Sequence, residues 1–183
     1  MPRVHLATDT PDQAYNLGRL LAIFARLQKK AHEGKLEGPG VVQRYYAGAA
    51  SSPRTTFPVL INLHHHHLRK LEQRGETGVR TAEAFRAKVG DILKLIPCDS
   101  TGNIDFQAVF QLKDQARFAL GYYQQHAYDR AASRVGHLLR EAKKAHDKKD
   151  THHAELCLDQ AKQAVTLDDY PDLFRRVNTF KFD

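Results

Sequence analysis

The strongest constraint on this chain is the spacing of its apolar residues. They return every third and fourth position in segment after segment, and nowhere alternate with period two long enough to build a strand. A chain patterned this way folds into helices that each bury one stripe. The clearest stripe is Ala82, Phe85, Val89, Ile92, Leu93 and Ile96, stopped by Pro97. Near the start, Thr10-Pro11-Asp12-Gln13 reads as a capping box, with Thr10 at the N-cap, Pro11 at the first helical position and Gln13 three residues after the cap. Ala14, Leu17, Leu20, Leu21, Phe24 and Leu27 continue that helix to an expected stop at Gly34. The segment Lys35 to Gly40 reads as a loop before a short helix carrying Val41, Val42, Tyr45 and Tyr46, which the small residues Ala47 to Ser52 and then Pro53 are expected to end.

Pro58 suits the first turn of a third helix, whose buried side is Leu60, Leu63, Leu68 and Leu71. Beyond a loop at Cys98 to Asn103, the residues Val109, Leu112, Ala116, Ala119, Leu120 and Tyr123 describe a fifth helix. After Tyr128 the sequence turns Ala- and Lys-rich. Val135, Leu138, Leu139 and Ala142 mark one helix, and Ala154, Leu158, Ala161 and Val165 the next. The charged break His146 to Asp150 separates them, a helical hairpin, and Phe174 and Val177 can dock a last short turn opened by Pro171. The expected fold is all-α: a compact helical bundle over residues 1–128 with a C-terminal helical hairpin and tail over 129–183.

Composition narrows the partners. No stretch approaches the roughly 18 uninterrupted apolar residues of a membrane span, and the N-terminus lacks a secretory core, so the expected location is cytoplasmic, with no membrane partner. Cys98 and Cys157 are far apart with no second thiol nearby, and read as packed thiols. The net charge of +7 attracts polyanions. Residues 1–130 hold 18 Lys and Arg against 12 Asp and Glu, whereas residues 131–183 hold 10 against 9, so the field belongs to the first part.

The residues that could carry chemistry do not form a catalytic set. His64-His65-His66-His67 invites a metal reading, yet four consecutive side chains point around a helix and no acid or thiol stands at matching spacing. His152-His153 is similar. Gly34, Gly38 and Gly40 are followed by no Lys-Ser or Lys-Thr, Ser51-Ser52 lacks a nucleophile elbow, and Asp168-Asp169 reads as a solvated loop. The expectation is a non-enzymatic protein with no cofactor and no metal.

The basic residues are more informative. Arg19, Arg26 and Lys30 are spaced by seven and four, so they share a helix face that Lys29 borders, and Arg44, Arg54, Arg69, Lys70 and Arg74 lie in the next two segments. Converging, these nine side chains would form a phosphate-binding strip insensitive to base sequence. Tyr45, Tyr46, Tyr122 and Tyr123 could stack on bases, though at helical spacing aromatic residues are more often core.

Three stretches carry a resemblance: AYNLGRLLAIFARLQ from Ala14, RYYAGAASSPRTTFPVLINLHHHHLRKL from Arg44, and FALGYYQQ from Phe118. Together, and in this order, they resemble the C-terminal region of the large subunit of the type I-C CRISPR Cascade complex. The matching positions are Leu17 to Leu20, Arg44 and Tyr45, Phe57 and Pro58, His66 to Leu68, and Phe118 to Tyr123. In that family the same reading frame also yields a separate small subunit from an internal start, which a chain beginning at Met1 resembles; a C-terminal fragment of the large subunit would read identically.

The resemblance implies a helical bundle repeated along the complex, in contact with the Cascade backbone and large subunits, with CRISPR RNA and target DNA, and with further copies of itself. Its implied role is to hold the displaced non-target strand and stabilise the R-loop, cleavage being left to a recruited helicase-nuclease. After Gln125 the sequence departs from the family pattern, and the extension is expected to serve packing or inter-subunit contact. A helical protein-interaction module, or a purely structural C-terminal domain of the large subunit, is the alternative. A histidine-dependent metalloenzyme ranks third.

Overall fold

The computed structural model describes residues 6, 10–33, 40–166 and 168–182. These form eight helices and, among the described residues, no strand beyond an isolated bridge between Cys98 and Ile104. The fold is all-α, as the apolar spacing requires. In order, the helices are α1 (Gln13–Ala31), α2 (Val41–Arg44), α3 (Tyr46–Ser51), α4 (Pro53–Glu72), α5 (Glu76–Leu93), α6 (Leu112–Asp147), α7 (Thr151–Gln163) and α8 (Pro171–Asn178). The chain divides into two compact units, one of residues 8–125 and one of residues 126–183 with Leu6.

In the first unit α1 is the central element. It is buried around nearly its whole circumference from Ala14 to Phe24, so its off-stripe polar residues are interior too. Its cap is Asp12 and not Thr10: the Asp12 carboxylate accepts from the Tyr15 amide at 2.9 Å. Gln13, expected to close a capping box, instead donates to the Asp105 carbonyl at 2.7 Å and accepts from the Gln107 amide at 2.9 Å, tying the loop before α6 to the start of α1. The expected stop at Gly34 and all of the Lys35-to-Gly40 loop except Gly40 lie outside the described residues.

Two glycines set how closely α1 and α6 meet. A Cβ on Gly18 would lie 2.0 Å from the Phe118 carbonyl oxygen, and one on Gly121 would lie 2.0 Å from that of Tyr15. Each helix thus rests a glycine directly under the other's carbonyl. The core of this unit gathers Leu17, Leu21, Phe24, Phe57, Leu60, Leu68, Phe85, Val89, Ile92, Phe110 and Phe118.

Several helix boundaries differ from expectation for local reasons. The small residues Ala47 to Ser51 are helical and form most of α3. The next helix starts at Pro53, where a missing amide costs nothing, and the Ser52 carbonyl accepts from the amides of Thr55 and Thr56. Pro58 therefore sits inside α4, on its exposed side, where water can satisfy the carbonyl left without a donor. Of the expected α4 stripe, Leu60, Leu68 and Leu71 are buried and Leu63 is half-buried. Cys98 is exposed, contrary to the packed reading, because it lies in the loop past Pro97, while Cys157 is buried.

The fifth helix and the first hairpin helix are one continuous element, α6, of 36 residues. Its first half buries Phe118, Gly121, Tyr122 and Gln125, whereas Leu112, Ala116, Leu120 and Tyr123 of the predicted stripe face solvent. In the second unit the remainder of α6, α7 and α8 share a core of Val135, Leu139, Ala161, Val165, Leu173 and Val177. The turn between α6 and α7 uses Lys149 at φ 63°, and Asp150 caps α7 by accepting from the His153 amide at 3.1 Å.

Gly18→Ala and Gly121→Ala are each expected to cost about 3 kcal/mol, because backbone must move to admit the methyl group. Gly90→Ala in α5, where nothing lies within 4 Å of the added Cβ, is expected to stabilise by roughly 0.5–1 kcal/mol. Urea-unfolding midpoints of the three variants against the parent chain measure both effects.

Candidate nucleic-acid interface

The C-terminal ends of α1 and α4 lie side by side. The two helices run in the same direction: the Phe24 and His64 rings lie tilted with centroids 4.8 Å apart, His32 meets His67 edge-on at 5.5 Å, and Arg74 reaches the last turn of α1. Each helix terminus presents carbonyls without an intrahelical donor and the negative end of its dipole. Two such ends together call for cations, and the sequence supplies Lys29 and Lys30 in the last turn of α1 and Arg69 and Lys70 in that of α4.

Arg74 answers this demand directly. Its guanidinium donates to the Lys30 carbonyl at 3.0 Å and the Ala31 carbonyl at 2.5 Å, and stands 3.6 Å from the Glu33 carboxylate. Lys70, one helical turn earlier on the same face, donates to His32 Nδ1 at 3.2 Å. Lys29, Lys30 and Arg69 are exposed, and among the described residues no carboxylate pairs with them. Five of the nine basic candidates therefore gather at one end of the α1/α4 pair.

The other four do not join them. Arg19 is only 6% exposed: its Nε donates to Gln125 at 3.2 Å, another guanidinium nitrogen donates to Asn16 at 3.2 Å, and its Cζ lies 6.0 Å from the Tyr15 ring centroid. Asn16 in turn donates to the Thr10 carbonyl at 2.8 Å. Reading Arg19 as a phosphate contact is corrected on this ground, since α6 covers that face of α1 and the guanidinium belongs to an interior polar chain. Arg54 is exposed but stands at the opposite end of α4, donating to the Phe106 carbonyl at 2.9 Å and lying 3.5 Å from Asp105. Arg26 is half-buried on α1, and Arg44 is exposed at the end of α2.

The four histidines divide by helix geometry. His64 and His67, three apart, both face α1 and are buried, while His65 and His66 are exposed. The buried pair shares a face, as a metal site would require, but that face packs on Phe24 and His32. Among the described residues no group of three or more His, Cys, Asp or Glu side chains is placed to hold a metal ion. Of the tyrosines, Tyr122 is buried, Tyr45 and Tyr46 are half-buried, and Tyr123 is 64% exposed. Burial raises the Tyr46 and Tyr122 hydroxyl pKa values. Sequence reasoning missed His32, the C-cap of α1, which completes the cluster from 38 residues before Lys70; only a cross-helix contact could have revealed it.

Residues 2–128 match the family described as CRISPR-associated protein Cas_Csd1. A comparison with curated proteins finds no match.

The buried histidines make this helix pair acid-sensitive. Desolvation first, then the positive charge of His65, Arg86 and His67, lowers the His64 pKa from 6.5 to about 4. Desolvation, then His32, His66 and Lys70, lowers that of His67 to about 4, and His32 is lowered too, by burial and then by Lys70, Arg74 and His66. The unfolded chain takes up these protons first as pH falls. The stabilisation from neutral His64 and His67 is therefore complete above pH 6.5 and is lost between pH 6.5 and 4, on the order of 3 kcal/mol for each. His67→Leu is expected to flatten this acid limb while leaving stability at pH 7.5 nearly unchanged; urea midpoints across pH 7.5 to 4 measure it.

Proposed function

The chain belongs to the Csd1 family of CRISPR-associated proteins, and from that premise we propose that it is a non-catalytic small subunit of a type I-C surveillance complex, or Cascade. In this reading it works in the cytoplasm beside the backbone and large subunits, the CRISPR RNA and the target DNA. It grips nucleic-acid backbone, holding the displaced non-target strand while the R-loop forms. The bundle of residues 1–128 supplies the grip, and residues 129–183 serve packing or inter-subunit contact.

The observation that carries this reading is the gathering of Lys29, Lys30, Arg69, Lys70 and Arg74 at one end of α1 and α4, within the residues that match the family. Lys70 and Arg74 hold the two helix ends together, which orients the exposed Lys29, Lys30 and Arg69 without committing them to internal pairs. Such a cluster neutralises phosphates and releases counterions whatever the base sequence, as a displaced strand of arbitrary sequence demands. R-loop formation is nearly balanced, so a few ionic contacts to that strand can tip it, and several copies acting together multiply a weak grip.

The test is anisotropy of a labelled single-stranded oligonucleotide titrated with the chain, alone and in the assembled complex, over a range of salt. The triple variant Lys29→Glu, Lys30→Glu, Arg69→Glu is expected to weaken binding roughly tenfold or more at low salt. It should also reduce the slope of log affinity against log salt by about 2, since each single-strand phosphate that is no longer neutralised removes about 0.7. Arg19→Gln, in contrast, should lower stability. Unchanged affinity in the triple variant, or no binding by the parent chain in either setting, rejects the reading.

A further inference from the structure

The second unit is close to neutral as a whole, but its charge is divided. Residues 130–149, the later part of α6 and the turn after it, hold seven Lys and Arg against two Asp and Glu, whereas residues 150–183 hold four against seven. All seven cations of the first group are exposed. Arg130, Arg134, Arg140, Lys144 and Lys148 follow one another at intervals of four and six, with His137 between, so at about 100° per residue they share one side of the helix. The core takes the other side: Val135 and Leu139 pack with residues of α7 and α8, and Ala142 is buried.

Ordinary roles leave the arginines unaccounted for. A helix C-terminus attracts cations over its last turn, which covers Lys144 and Lys148, whereas Arg130, Arg134 and Arg140 stand about two turns or more before Asp147. Solvated helices of this chain balance their charges locally. Arg80 lies 2.5 Å from Glu76 on α5, Lys94 lies 3.1 Å from Asp91 at its end, and Lys162 lies 3.3 Å from Asp159 on α7. In the later part of α6, Lys144 has such a partner in Glu141 at 2.9 Å, but among the described residues no ion pair involves Arg130, Arg134, Arg140 or Lys148. Arg130 and Arg134, Arg140 and Lys144, and Lys144 and Lys148 are instead like-charged neighbours four apart, a spacing that destabilises a helix by itself. A polyanion on this face removes that repulsion.

The rest of the face narrows the partner. Residues 130–149 contain no Phe, Tyr or Trp, so the platforms on which unpaired bases stack are missing. No large apolar side chain of this segment is exposed, whereas a protein partner calls for apolar or aromatic anchors and a membrane surface for an apolar face beside the cations. What the face presents is charge alone, spread over about 21 Å from Arg130 to Lys144. A duplex is the matching polyanion, with one phosphate charge per ~1.7 Å of axis and a salt dependence of about 0.9 per contact against 0.7 for a single strand. We propose that the outward face of α6 from Arg130 to Lys148 binds the phosphate backbone of double-stranded DNA, whatever its base sequence. This site lies outside residues 2–128 that match the family, and on a different unit from the α1/α4 cations. It therefore stands or falls apart from the single-strand grip, and it leaves the opposite face of α6 to packing.

The test is anisotropy of a labelled DNA duplex of mixed sequence, and of its single strand, titrated with the full chain. It is run on the parent and on the Lys29→Glu, Lys30→Glu, Arg69→Glu background, which removes the other cation cluster. In that background the duplex should still bind, with a dissociation constant on the order of 10 µM at roughly 50 mM salt, and tighter than the single strand. Adding Arg134→Glu, Arg140→Glu and Lys148→Glu should weaken duplex binding roughly tenfold or more and lower the slope of log affinity against log salt by about 2.7. Helicity by circular dichroism should not change, since all three side chains are exposed. The milder Arg134→Gln with Arg140→Gln should lower the slope by about 1.8, and Arg134→Lys with Arg140→Lys, which keeps both charges, should leave it unaltered. The same loss of charge elsewhere in the unit, by Lys162→Glu, Arg175→Glu and Lys181→Glu, should weaken binding clearly less. Absence of duplex binding up to roughly 100 µM chain overturns the proposal, including the case where the face serves an acidic protein. So do a slope unchanged in the glutamine variant, an equal loss in the Lys162, Arg175 and Lys181 variant, and tighter binding of the single strand in the background chain.

Discussion

The contact on which the first unit depends is the double glycine crossing of α1 and α6. Gly18 lies under the Phe118 carbonyl and Gly121 under that of Tyr15, so the two backbones approach as closely as hydrogen atoms on Cα permit. No larger side chain can occupy either site without separating the helices. Once they are this close, α1 is enclosed on the α6 side and Arg19 and Asn16 cannot reach water. They are satisfied internally instead, through Gln125 and the Thr10 carbonyl. The Leu-Gly-Arg and Leu-Gly-Tyr-Tyr segments that carry the family resemblance are thus the two sides of one contact, 103 positions apart.

A second constraint operates at the other end of α1. Parallel helices bring their C-terminal dipole ends together, which is unfavourable unless cations sit there. The fold meets this need with Lys70 and Arg74, and the same electrostatic preference admits Lys29, Lys30 and Arg69 on the outside. Structural and functional explanations of these charges therefore do not compete residue by residue. The inner ones stabilise the helix ends, and the outer ones stay exposed, as the proposed contact with a polyanion requires. His64 and His67 fit beside them as neutral rings, because burial disfavours their charged form and a charge there would also add to a field already positive.

Much of the secondary structure was legible because its signals are local. Apolar residues at spacings of three and four, a proline where a helix begins and a charged break between hairpin helices act within a turn or two of chain. The hairpin residues Val135, Leu139, Ala161, Val165 and Val177 are buried as their spacing implies. The candidate site was less legible. Nine basic residues could be named, but which of them converge depends on the register between α1 and α4, and their linear spacing does not contain that register.

α6 shows the limit most clearly. Both faces of its first half are apolar, so periodicity alone could announce a helix but could not say whether Leu112, Leu120 and Tyr123 or Phe118 and Tyr122 turn inward. By itself the sequence determined an all-α chain and the places where most helices lie, because backbone propensity and amphipathic spacing are local. Only the tertiary structure decided that Arg19 is interior, that Cys98 is exposed, that five cations meet at one end and that an apolar stripe is left uncovered. Those outcomes follow from which helix faces come together, and for Arg19 and α6 that is set by two glycines far apart in sequence.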